Sequence, residues 1–184
     1  AEARYFRNQR REIVPLLPDV YHRVLDVGCG AGHAMIAFAE LFPKSRFRGY
    51  DFSADAIEKG RRIIDEKGLT NVQLEIVDMS DFGELYRYDL ITTFDAVHDQ
   101  KHPQQLIRSI HAALKPGGTY LMQDIAGSAH LENNLDMPMA TYLYTVSALH
   151  CMAVSLGQGG DGLGTMWGWE TALDMLQSAG FAAV

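Results

Sequence analysis

The chain holds 184 residues, 47% of them hydrophobic and 21% charged, enough for one folded domain with its own core. Those figures exclude a disordered tail, a fibrous repeat and a disulfide-stapled miniprotein. Sixteen Lys and Arg stand against 23 Asp and Glu, a net charge of −7, so the broad basic footprint of a nucleic-acid binder is absent. In chain order, residues 1–20 read as a lead-in helix. Its Arg4, Arg7, Arg10 and Arg11 form a basic stripe around Tyr5 and Phe6, either a solvated face or a nucleic-acid contact. Residues 24–27 form a short apolar strand stopped by Gly28. A helix follows from His33 to Phe42, ended by Pro43. A second strand covers 46–51. Ser53 then caps a helix that runs to about Lys67 and closes on Gly68. Alternating Val72, Leu74 and Ile76 make 72–77 a half-exposed edge strand.

Residues 88–95 give a fourth strand. After it, Pro103 opens a helix whose apolar face is Leu106, Ile107, Ile110, Ala113 and Leu114. Lys115-Pro116-Gly117-Gly118 turns that helix into a fifth strand, 119–125. Strands alternating with helices at this spacing predict parallel βαβ units in a doubly wound α/β sheet. A helix over about 138–156, a flexible Gly-rich loop over 157–164 and a helix over 168–179 capped by Gly180 complete the chain. Another strand would start at Phe181. We read one domain: lead-in helix 1–20, cofactor-binding core 21–125 and acceptor-side region 126–184.

The informative run is Val24-Leu-Asp-Val-Gly-Cys-Gly-Ala-Gly32, a strand, a G-x-G-x-G turn and a helix start. Glycines there let backbone amides approach a ligand where any Cβ would intrude. A dinucleotide turn G-x-G-x-x-G would place its third glycine at position 33, which is His33, so the spacing leans away from NAD. Asp51 ends the second strand, where a carboxylate accepts from both hydroxyls of an adenosine ribose. Asp78 ends the third strand, placed to accept from an adenine amino group, with the Met79 N–H beside it for a ring nitrogen. Three adjacent strand ends thus face one crevice, at the carboxyl edge where open α/β sheets bind ligands.

LDVGCGAG, GYDFS and VDMSDF resemble the first, second and adenine-contacting motifs of class I S-adenosylmethionine (SAM)-dependent methyltransferases. YDLITTFDAVHD and LKPGGTYLMQD resemble that family's fourth and fifth strands. The resemblance implies a Rossmann-like sheet of strand order 3-2-1-4-5, with SAM as cofactor and S-adenosylhomocysteine (SAH) as product. It implies that Asp26 and the loop of Gly28, Cys29, Gly30 and Gly32 hold the methionine end. Asp51 would take the ribose, Phe52 the adenine face, Asp78 and Met79 the adenine edge, and Phe94 and Asp95 the methionine side. FDAVHDQKHP and MQDIAGSAH are similar to a subgroup with a winged-helix-like domain upstream, whose members are labelled as transcriptional regulators. Against that pattern the chain reads as part of a longer protein, without the upstream domain or the family's final β-hairpin.

The resemblance implies methyl transfer to a small apolar or aromatic acceptor at O or N. The alternatives are a non-catalytic SAM-binding regulatory module and an NAD-dependent oxidoreductase. His98 and Asp99 follow the fourth strand and are the first candidates for base or substrate anchor; the alternative for His98 is a loop residue capping the helix at Pro103. His150, in a helix with Tyr142 and Leu149, is either a second candidate or a packing residue. Tyr142, Tyr144, Met152, Trp167 and Trp169 are either an acceptor pocket or plain core. Cys29 and Cys151 lie outside any CxxC pair, so we expect no metal and no disulfide. The expected partner is a small molecule rather than nucleic acid or membrane, in the cytoplasm, with a homo-oligomer left open.

Overall fold

A computed structural model describes residues 22–80 and 82–182. The expected lead-in helix and its arginine stripe lie outside the described residues, as does the end of the strand expected from Phe181. The sheet contains β1 (Arg23–Val27), β2 (Arg46–Asp51), β3 (Val72–Ile76), β4 (Tyr88–Phe94) and β5 (Leu114–Gln123). All neighbours pair in parallel, in the order β3-β2-β1-β4-β5. The sheet is doubly wound as the strand–helix alternation predicts, and its Rossmann-like order is the one the family resemblance implies. Helices α1 (His33–Leu41), α2 (Ala54–Lys67) and α3 (Pro103–Ala113) make the crossovers.

Two cores flank the sheet. Val24, Phe47, Leu74 and Leu90 meet Met35, Phe38 and Ile57 from α1 and α2 on one face. On the other, Leu25, Tyr50 and Ile91 meet Leu106 and Ile110 from α3. Alternate residues of one strand thus serve opposite layers, as a sheet covered on both faces requires. Local signals set the helix ends. The Ser53 hydroxyl accepts the Ala56 N–H at 3.3 Å, and Gly68 closes α2 in the left-handed region.

β5 departs from expectation. It begins at Leu114, directly on the end of α3, rather than at 119. Leu114 pairs with Tyr88, and the next pair is Thr119 with Leu90, so the Lys-Pro-Gly-Gly stretch bulges out of the ladder. Pro116 has no N–H to give, and Gly117 takes φ +79° there. The strand ends at Gln123, two residues early.

The acceptor-side helix is also not uniform. It runs as α4 (Ala140–Val146), a π turn over Ser147–Cys151, and α5 (Met152–Gly157). The glycine-rich segment after it is pinned, not free. The Asp161 N–H donates to the Lys101 carbonyl at 2.8 Å, and the Ser155 hydroxyl donates to the Gln100 carbonyl at 2.9 Å. This strap covers the loop that follows β4. The last helix, α6 (Gly168–Ala179), ends on Gly180 as predicted. Among the described residues, no helix is long and apolar enough to cross a membrane.

Candidate active site

The turn after β1 is held by its own backbone. Gly28 and Cys29 both donate to the Tyr50 carbonyl, at 2.8 and 3.0 Å, which ties the loop to β2. Gly28, Gly30 and Gly32 all have positive φ, between 55° and 78°. A Cβ on Gly28 would stand 2.4 Å from Ala96 Cβ, so this glycine lets the segment after β4 close against the loop. Above Gly30 nothing lies within 4 Å, which leaves open space for a ligand beside the backbone. Cys29 does a packing task. Its Sγ fills the space a side chain on Gly49 would need, and burial pushes its thiol well above the usual range.

Asp51, at the end of β2, is buried and reaches across to the glycine loop. Its Oδ2 accepts from Gly30 N at 2.8 Å and its Oδ1 from Ser53 N at 2.9 Å. A carboxylate has about four acceptor positions, so two remain for a diol. Phe52, next to it, is 54% exposed and offers a bare ring at the crevice. Asp78 is exposed and accepts from its own Ser80 N–H, which holds its carboxyl below the usual range; Met79 is buried in the core.

Asp26 lies within β1, with Oδ1 accepting from the Thr92 hydroxyl of β4 at 2.7 Å. Burial pushes its carboxyl up to about 7. The Thr92 bond opposes that shift and the nearby Asp51 charge adds to it. A shift of this size marks a buried carboxyl whose charge its neighbours do not neutralise. Phe94 is half-buried at the end of β4. Asp95 follows with φ +49°, a left-handed conformation that Asp tolerates better than most side chains.

The second group of candidates forms around His98. Its Nδ1 lies 2.8 Å from Asp124 Oδ1, just past β5, and its Nε2 lies 3.3 Å from Asp99 Oδ1. His98 is only 3% exposed, under the strap whose Gly164 N–H donates to the His98 carbonyl. Burial works against its protonation, but the Asp124 hydrogen bond and the charges of Asp124, Asp99 and Asp95 outweigh it, so its pKa is raised. The π turn brings Cys151 into the same cluster, where Sγ sits 2.9 Å from Thr165 Oγ1. Burial raises that thiol too; the Thr165 contact opposes the shift and Asp99 adds to it.

Other candidates separate. His150 is exposed, one residue from the buried Cys151, and the structure does not bring it to the His98 cluster. Trp167 is core, packed with Val97, Ile107, Ala172 and Leu176 rather than lining a pocket. Tyr142 and Trp169 are exposed, and the Tyr144 hydroxyl accepts from Asn134. Of these five candidates, Trp167 thus belongs to the core. Sequence reasoning missed Asp124, and only its position one residue past β5 could have signalled it. It also missed the knot in which buried Ser128 and Asn134 bond each other and Glu170 closes over them, fixing the segment after β5.

A family model described as a methyltransferase domain matches residues 19–180. Ribosomal RNA small subunit methyltransferase C of Escherichia coli is 37% identical over 109 residues, covering 56% of this chain and 31% of that protein. The chain spans 40% or less of the length of the curated relatives it first matches. Among solved structures, the YcgJ protein of Bacillus subtilis aligns with TM-score 0.70 at 22% identity, over 92% of this chain and 65% of that one. PKMT2 of Rickettsia typhi, solved in complex with AdoHcy, aligns with TM-score 0.56 at 25% identity, over 70% of this chain and 24% of that one.

Proposed function

The chain belongs to the methyltransferase domain family, and on that premise we propose that it methylates O or N of a small apolar or aromatic acceptor. The cofactor of such a domain is SAM, which when bound supplies a methyl carbon already activated by its sulfonium. The protein's own task is then to align the acceptor and exclude water. The single observation that carries the reading is the pairing of Asp51 with Gly30: a buried carboxylate at the end of β2, bonded to a glycine loop with open space above it.

In this reading Asp51 holds the ribose hydroxyls, Phe52 the adenine face, and Asp78 with the Met79 N–H the adenine edge. Asp26, with the loop of Gly28, Cys29, Gly30 and Gly32, takes the methionine end, where its buried carboxyl pairs with the ammonium. Phe94 and Asp95 border the methionine side. Asp99, 27% exposed at its side chain, is the member of the second cluster that an acceptor reaches. Asp99 takes the proton that a hydroxyl acceptor gives up and passes it to Nε2 of His98, 3.3 Å behind it. The surplus of acidic residues favours a small molecule over nucleic acid, and we place the protein in the cytoplasm.

A second reading, a non-catalytic SAM-binding module in a regulator with an upstream winged-helix-like domain, is favoured by the burial of His98. The NAD-dependent reading gives way to the family match. Calorimetric titration with SAH and with NADH, on wild type and Asp51→Ala, tests the cofactor assignment. We expect micromolar SAH binding that the substitution weakens by about 1–3 kcal/mol, because the ribose hydroxyls lose their acceptor. Unchanged SAH affinity in Asp51→Ala, or tighter binding of NADH than SAH, would overturn it.

A further inference from the structure

We propose that His98, Asp99 and Cys151 form a binding site for a divalent transition-metal ion of the zinc class. Three different donor types converge there: an imidazole nitrogen, a carboxylate oxygen and a thiol sulfur, all within 4.8 Å of one another. Bond lengths of about 2.0–2.3 Å place tetrahedral zinc ligands roughly 3.3–3.6 Å apart. The 3.3 Å between His98 Nε2 and Asp99 Oδ1 already matches, so the thiol is the ligand that moves.

Asp124 supplies an independent argument. Its Oδ1 sits 2.8 Å from His98 Nδ1, and a proton held on that nitrogen leaves the Nε2 lone pair facing Asp99. Metal-binding histidines almost always have such a carboxylate or carbonyl behind them, fixing ring orientation and tautomer. Asp99 stands between the two other donors: its buried Oδ1 faces Nε2, and its carboxylate also acts on the Cys151 thiol. Nε2 and Asp99 Oδ1, 3.3 Å apart, can therefore turn their lone pairs to one ion once Nε2 gives up its proton. Burial points the same way: at 3% and 4% exposed, His98 and Cys151 are closed to a bulky acceptor but not to an ion entering past Asp99.

The ligands also come from elements far apart in the chain. His98 and Asp99 follow β4, and Cys151 is turned inward by the π turn, a feature often found at functional sites. Three protein ligands leave the fourth tetrahedral position for water or a ligand heteroatom. This site lacks any CxxC spacing, which is why the cysteine count alone argues against it. An ion and a proton on Nε2 exclude each other, so the metal-bound form lacks the base assigned to His98.

Titration of the full chain with Co²⁺, without SAM, tests the site separately from the cofactor reading. We expect one equivalent to bind and to produce thiolate-to-metal charge-transfer absorption. Cys151→Ser should abolish the absorption and His98→Gln should weaken binding at least tenfold, while Cys29→Ser keeps both. Circular dichroism confirms that each variant is folded, and Zn²⁺ should displace Co²⁺ and remove the band. Absence of the band in folded wild type, or its survival in Cys151→Ser, would overturn the proposal.

Discussion

The two halves of the carboxyl edge are built by different means. Around β1, β2 and β3 the site is made of backbone: glycines at positive φ, amides tied to the Tyr50 carbonyl, and carboxylates at strand ends. Around β4 and β5 it is made of side chains from distant segments, His98 with Asp124 and Cys151 with Thr165, clamped by a strap. A backbone site leaves its mark in local sequence, because each turn needs a particular residue at a particular place. A side-chain site depends on tertiary contacts, so its sequence signal is scattered.

Four substitutions sharpen or break that contrast. The largest effect is expected at Asp26. Its folded pKa of about 7 lies above the unfolded value, so the stability it contributes is full below about pH 4 and lost as pH rises through 7. Asp26→Asn keeps the acceptor for Thr92 and removes the buried charge. It should therefore stabilise the free protein by up to about 4 kcal/mol at pH 8, with the gain vanishing below pH 4. Denaturant melts across pH read this directly; a pH-independent difference would place the charge elsewhere.

Gly28→Ala comes next. The new Cβ meets Ala96 at 2.4 Å and the backbone sits at φ +78°, so we expect a loss of about 2–3 kcal/mol in thermal unfolding. A Tm within a degree of wild type would mean that the loop and the segment after β4 yield freely. In the second half, Asp124→Asn should lower the His98 pKa and cost about 1–2 kcal/mol at pH 6. The His98 contribution is full below about 6.5 and fades as pH rises through its raised value, so the cost should shrink at high pH. Histidine NMR titration checks it, and an unmoved His98 would remove Asp124 from the cluster. The smallest effect belongs to His150→Ala, expected within about 0.5 kcal/mol because the side chain is exposed.

How far the sequence was legible follows the same division. Ser53 at its cap, Gly68, Gly180 and the glycine loop were readable, since each rests on residues adjacent in the chain, while the strand order came with the family resemblance. The start of β5 at Leu114 was not, because Lys-Pro-Gly-Gly looks like a turn and only the pairing of Leu114 with Tyr88 draws it into the sheet. The π turn was also hidden. Nothing in Ser147–Cys151 breaks helical periodicity, yet the wider π turn leaves His150 exposed and the next residue, Cys151, buried. Trp167 as core and the pinned Gly-rich strap depend on α6 and on the loop after β4, contacts that spacing does not encode.

The most direct test of the central claim is amide hydrogen exchange on the chain with and without SAH. The backbone-built half should gain protection at residues 28–32, 51–53 and 78–80, while 98–101 and 147–165 change little. Protection confined to those latter segments, or none at saturating SAH, would contradict the assignment of the cofactor to the ends of β1, β2 and β3.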